Sequence, residues 1–193
     1  MDVVFSPHLF GSIAYFQELL KHENAVIDFG EHFVKQSPRN RFEIAGPNGR
    51  QKLTVNTKGL KGVKTPYLEV QLADDFMPIH LVRSLNTAYH KSPFYEFYKD
   101  EICEILLPSR KSLKEISVLS LEFCCEVLDL EMPIISDEYV EHADLDFRNE
   151  SFLKNKVSEY EQTFSSKHGF LNNLSVLDLI VHLGPGSRAY LTE

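Results

Sequence analysis

At Pro78 the hydrophobic pattern of this 193-residue chain changes period, and that change constrains the fold more than any composition figure does. Before it, apolar residues come in short runs: Ala25 to Phe29, then the alternating stretches Arg41 to Ala45, Gln51 to Asn56 and Tyr67 to Leu72. Period two belongs to strands with one buried face. Gly46-Pro47-Asn48-Gly49 separates the second and third runs, and Asn-Gly tolerates positive φ, so those runs form a hairpin. One helix precedes them, from about Phe10 to Lys21, on the three- and four-residue spacing of Phe10, Ile13, Phe16 and Leu20. Between the hairpin and Tyr67, the Gly- and Lys-rich segment Lys58 to Pro66 reads as a mobile loop.

After Pro78 the spacing is helical. Ile79, Val82, Leu85 and Tyr89 line one side of a helix, and His80, Arg83, Ser84 and Thr87 another. Ser92 and Pro93 fit the N-cap and first position of the next helix, which Pro108 ends. A third begins at Ser112 with the capping box Ser112-Leu113-Lys114-Glu115 and carries Ile116, Leu119, Phe123 and Val127. Pro133 to Ser136 is a strand or an extended link, the stretch to Lys156 is acidic and irregular, and a last helix follows Ser175. The expected architecture is α+β: a small N-terminal antiparallel sheet packed against a mainly helical C-terminal part, as one domain over residues 1–193.

With 43% hydrophobic residues the chain buries a core and is not disordered. No apolar run reaches the roughly 18–20 residues needed to span a bilayer, and Met1 to Phe5 lacks a basic leader, so a soluble cytoplasmic protein is expected. Cys103, Cys124 and Cys125 offer neither a disulfide framework nor a Cys-x-x-Cys metal site. The net charge of −8 is unevenly spread: Lys35 to Lys64 holds eight basic residues against Glu43, a local +7, and the remainder carries −15. Such a chain repels a long polyanion over most of its surface but steers a small anion to one place, so a small anionic ligand is expected and a nucleic acid is not.

The common catalytic signatures are absent. Gly59-Leu60-Lys61-Gly62-Val63-Lys64-Thr65 approaches a phosphate loop, but Val63 stands where a glycine must precede the lysine. The histidines show no i, i+4 pair on a helix and no neighbouring cysteine, and no metal site is expected. Ser175 is a good N-cap with Asp178 three positions on, Leu174 and Leu179 are placed for a hydrophobic staple, and Gly184 before Pro185 stops the helix.

The block Tyr160-Glu161-Gln162-Thr163-Phe164, followed by His168-Gly169-Phe170, Asn173-Leu174-Ser175, Asp178-Leu179 and Gly184-Pro185, resembles the C-terminal motif of the WbqC-like family of bacterial proteins. Phe33 to Arg41 with Gly46 to Gly49, His80, Ala88-Tyr89, Ser92 to Tyr98 and Asp144 to Arg148 follow in the same order, so the resemblance covers nearly the whole chain. It departs at Leu9-Phe10-Gly11, where the family has an aromatic before proline, and at Phe76 and Leu81, where it has tryptophans beside the mid-chain histidine; those changes withhold support from an aromatic ligand shelf there.

The resemblance implies an accessory role in surface-polysaccharide and O-antigen synthesis, with transfer of an acyl or aminoacyl group to an amino sugar and no cofactor identified. Beside it the residues suggest roles. Arg39 and Arg41 can hold a diphosphate or carboxylate in bidentate fashion, and His80 is the candidate general base. Lys35, Asn40, Tyr89, Gln162, His168, Asn173 and Asp178 complete the ligand-binding candidates. A pocket uniting Arg39, Arg41, His80 and Asp178 favours an enzyme; their dispersal, with an exposed apolar patch, favours a non-catalytic docking protein.

Overall fold

The computed structural model describes residues 2–59, 64–107 and 112–192. Two sheets divide the strands. Val3-Val4-Phe5 forms β1 (Val3–Phe5), α1 follows (Ile13–Leu19), and the chain returns as β2 (Ala25–Asp28), parallel to β1 with Val3 opposite Ala25. Two later segments join the same sheet in parallel: β5 (Ile134–Ser136) beside β2, and β6 (Leu145–Asp146) beside β1. The order is β5-β2-β1-β6. The hairpin stands apart as an antiparallel pair, β3 (Arg41–Gly46) and β4 (Gly49–Thr54). Its Gly46–Gly49 closure is as expected, with the positive φ of 98° falling on Gly49.

The main sheet is therefore parallel, which corrects the expected antiparallel one. β1 and β6 are too short to show a period, and β5 and β6 lie over a hundred residues from β1, so nothing local announces their pairing. Parallel strands buried on both sides read as plain apolar runs. Ala25 to Asp28 is such a run, and it belongs to this sheet and not to the hairpin. Tyr67 to Leu72 is not a strand either. Tyr67–Glu69 is a 3₁₀ turn, and single bridges tie Leu72 to Thr57 and Gln71 to Ser112. The phenol of Tyr67 is drawn inward, donating to the Arg39 carbonyl at 2.8 Å and lying 2.5 Å from the Ser117 hydroxyl.

The helices follow the expected spacing with shifted ends. α1 begins after Ser12, whose Oγ accepts from the Tyr15 amide, because Phe10 is held at φ 42° and cannot be helical. In α2 (Ile79–Tyr89) the buried side is Leu81, Leu85, Ala88 and Tyr89, and Ile79 faces water. α3 (Tyr95–Ile105) starts later than the Ser92-Pro93 signal because the Ser92 hydroxyl is engaged by Thr163 at 2.9 Å. Its expected stop at Pro108 lies outside the described residues, as do four positions of the Lys58 to Pro66 loop. α4 (Leu113–Val127) has its capping box, the Ser112 amide donating to the Glu115 carboxylate at 3.2 Å. The short α5 (Ser165–His168) precedes α6 (Val176–Leu183), buried from Val176 to Val181, and α7 (Ser187–Leu191) closes the chain. One hydrophobic cluster links the sheet, the hairpin and α6.

Candidate functional site

By position along the chain, the main sheet runs third, second, first, fourth. The chain leaves β1 to one side for β2 and later returns to its other side as β6, so the topology switches between β1 and β6. Ligands of open parallel sheets bind outside the carboxyl ends at such a point. There a cavity of about 580 Å³ opens, within the range of small-molecule sites. Leu9 to Ser12, which follow β1, form one wall, and Leu153 and Lys154, downstream of β6, form another. Gln36 to Pro38, the hairpin residues Arg41, Phe42, Glu43, Arg50 and Lys52, and Asn172, Asn173 and Ser175 complete it.

Among the described residues, four cations line this space against one carboxylate. Glu43 is occupied by Arg50 and, at 3.4 Å, by Lys52. Arg41 is different: it is half-buried, its Nε is buried without a partner, and its guanidinium makes no hydrogen bond or ion pair among the described residues. A buried polar atom left unsatisfied needs an explanation, and a guanidinium facing a cavity has one in an anion. The helix N-termini beside the cavity do not compete. The first amides of α1 donate to Leu174 O, Asn173 Oδ1 and Ser12 Oγ, and those of α6 to Gly11 O, Ser175 Oγ and Ser175 O. An anion here is held by side chains, not by helix-end amides as in dinucleotide sites.

The chain matches the WbqC-like protein family over residues 6–149, about three quarters of its length. It belongs to that family. No curated protein and no solved structure matches the chain. The match covers the walls at 9–12 and 36–52 but ends before Leu153, so the block from Tyr160 to Pro185, which carried the resemblance in the sequence, lies beyond it.

The structure brings two of the WbqC-like chain's separated segments together, Arg39-Asn40-Arg41 and Asn173-Leu174-Ser175. Arg41 lines the cavity, and Asn173, at φ 51°, braces it by accepting from the Ala14 amide and donating to the Leu153 carbonyl. Arg39 does not join it. Its guanidinium is buried and saturated: Nε to Glu31 at 2.6 Å, Nη1 to Glu150 at 2.5 Å, and Nη2 to Ser6 Oγ at 2.6 Å and Glu31 at 3.1 Å. The expected two-arginine clamp is thus corrected to one free arginine and one structural one. Asn40 donates to Val55 O at 3.0 Å and is buried, and Lys35 is exposed outside the cavity lining.

His80 fails the requirement placed on a base. It is exposed on the first turn of α2, its ring makes no hydrogen bond among the described residues, and it is not among the residues lining the cavity. Asp178 is wholly buried and does not close a capping box; its carboxylate accepts from Tyr89 at 2.8 Å, Tyr160 at 2.7 Å and the Ala45 amide at 3.4 Å. Burial and that carboxylate push both phenols well above their usual range. Tyr89 and Asp178 therefore tie α2 and the hairpin to α6. Gln162 holds Leu171 in a loop by two bonds, and His168 donates to Pro47 O at 2.9 Å, pinning the hairpin turn.

Ser92, His182 and Asp178 form a trio that resembles a hydrolytic triad, with Ser92 Oγ 3.3 Å from His182 Nε2 and Nδ1 3.6 Å from the Asp178 carboxylate. The trio is structural. His182 Nε2 already accepts from the Thr163 amide at 2.9 Å, Nδ1 donates to the Asp178 carbonyl at 2.6 Å, and the serine is buried. Sequence reading missed the apolar wall at Leu9 and Phe10 and the cations Arg50, Lys52 and Lys154. Arg50 and Lys52 were visible within the basic segment, but their convergence with Lys154 crosses a hundred residues.

Proposed function

We propose that this WbqC-like protein binds a small anionic ligand in the switch-point cavity, with Arg41 as the anchoring side chain and Arg50, Lys52 and Lys154 as supporting charges. The observation that carries the reading is the unpartnered Arg41 guanidinium facing a cavity with an apolar floor of Leu9, Phe10, Phe42 and Leu153. A ligand with a charged end and an organic body satisfies both features. Within the family reading that ligand is nucleotide-linked or carries an acyl or aminoacyl group, and the protein serves group transfer in surface-polysaccharide synthesis. A thermal-shift screen of sugar nucleotides, acyl donors and aminoacyl donors tests this, since a ligand specific for the native state raises its apparent stability. A stabilising ligand whose effect disappears in Arg41→Ala supports the reading; no stabilisation by any of the three classes overturns it.

A second reading, a non-catalytic accessory protein, is favoured by the dispersal of Arg39, Arg41, His80 and Asp178 and by the exposure of Phe97 (80%), Met77 and Ile79. Under it Phe97→Ser leaves the fold intact and abolishes association with the partner enzyme, while Arg41→Ala leaves that association unchanged.

A further inference from the structure

Behind the cavity wall stands a buried cluster that the ligand reading leaves without a role. His8 directly precedes the wall residue Leu9, Arg39 directly follows Pro38, and Glu150 lies three positions before Leu153. Arg39 Nη1 and His8 Nε2 converge on the same oxygen, Glu150 Oε1, at 2.5 and 3.4 Å, and the Leu9 amide donates to Pro38 O at 3.0 Å. Each wall also contains or adjoins a non-glycine residue at positive φ: Phe10 at 42°, Gln36 at 61° and Glu150 at 57°. Such conformations persist only where the surroundings over-determine them. The three walls are separate segments in the sequence, and this cluster is where they are joined.

His8 is the sensitive member. It is 4% exposed and stacked on Tyr15 at 4.3 Å. Nε2 faces Glu150, and Nδ1 is buried with no partner among the described residues. The neutral ring with its proton on Nε2 fits this setting. A second proton, on Nδ1, would be a buried N–H without an acceptor. The groups facing the ring are Glu150, Arg39 and Tyr15, with Glu31 beyond Arg39, and the one carboxylate in contact is already shared with Arg39.

We infer that the His8–Glu150–Arg39 cluster is an acid-sensitive pin for the cavity: when His8 takes a proton the joint breaks, the walls separate and the anion is released. This rests on the reading of the cavity as an anion site. Burial lowers the His8 pKa below 6.5 in the closed protein, and the opened ring regains its ordinary value. Opening therefore takes up one proton, and affinity falls as the pH drops below about 6.5, by up to about tenfold per unit. The sign is diagnostic. Acid can only add positive charge to a cavity lined by cations, so without a pin an anion would bind there no less tightly as the pH falls.

Sulfate is a suitable probe because its charge is constant over this range. Calorimetric titration of the full chain at pH 7.5, 6.5 and 5.5 is expected to show affinity falling towards pH 5.5, by up to about fivefold over the last unit. In His8→Gln, which keeps a donor for Glu150 and does not titrate, affinity should change less than about twofold. Constant or rising affinity in the unsubstituted protein overturns the inference, as does an equal fall in the variant. Nuclear magnetic resonance without ligand gives an independent reading if the variant does not fold. The amides of 9–12, 36–37 and 153–154 are expected to shift with the His8 ring while those of α3 and α4 stay still, and a His8 titration with silent walls overturns the pin. If sulfate binds at no pH, the anion-site reading fails by itself and the amide response alone decides the pin.

Discussion

Two positions separate Arg39 from Arg41, and the fold gives them opposite work. Arg39 is enclosed by Glu31, Glu150 and Ser6, all of its nitrogens engaged; Arg41 faces the cavity with none. The consequences of substitution should differ in kind. Arg39→Ala strands two carboxylates in a buried site and is expected to cost about 3–5 kcal/mol in a denaturant melt. Arg39→Lys should also destabilise, since one ammonium cannot reproduce the fork that serves Glu31 and Glu150 together. Arg41→Ala is expected to leave the melt within about 1 kcal/mol of the unsubstituted protein. It should abolish the stabilisation that a bound anion confers. The Arg-Asn-Arg pattern marked this segment as functional but could not assign the two side chains, because the acids that capture Arg39 lie eight residues away at Glu31 and 111 away at Glu150.

At the scale of elements, local signals were reliable where a helix or turn satisfies its own ends. Ser112 and Ser175 cap as their positions suggest. Ser175 does more than cap: its Oγ accepts from the Leu177 amide at 3.2 Å and donates to Phe10 O at 2.7 Å, joining α6 to the wall of the cavity. Ser175→Ala is expected to cost about 0.5–2 kcal/mol by denaturant unfolding and, through Phe10, to weaken anion binding as well. Gly184 ends α6 at φ 52° and ψ −125°, and a Cβ there would lie 2.6 Å from the ring of Phe94. Gly184→Ala should therefore lose about 1–3 kcal/mol from the backbone alone and shift the midpoint further as Phe94 is displaced. Ser92 failed as a cap signal because a hydroxyl can serve only one set of partners, and here Thr163 and His182 hold it.

Across the whole molecule, the part that matches the family lacks pieces of both the core and the cavity. Residues beyond 149 supply α6, buried along most of its length, as well as Glu150 for the ion cluster and Leu153, Lys154, Asn172, Asn173 and Ser175 for the cavity. A chain ending at residue 149 is expected to show no cooperative denaturant transition; a sharp transition with native-like circular dichroism would contradict this. The amino-acid sequence by itself determined the helices of the later chain, the hairpin, the caps at Ser112 and Ser175, the basic segment and the family, because each is written in spacing, turn chemistry or charge within a short window. Only the tertiary structure decided that the main sheet is parallel, that β1 and β6 are neighbours, that Arg39 is structural and Arg41 free, and that His80 stands outside the site. Those outcomes depend on which distant strands and acids meet. The pairing of β1 with β6 and the capture of Arg39 by Glu150 are contacts across more than a hundred residues, for which no local period exists.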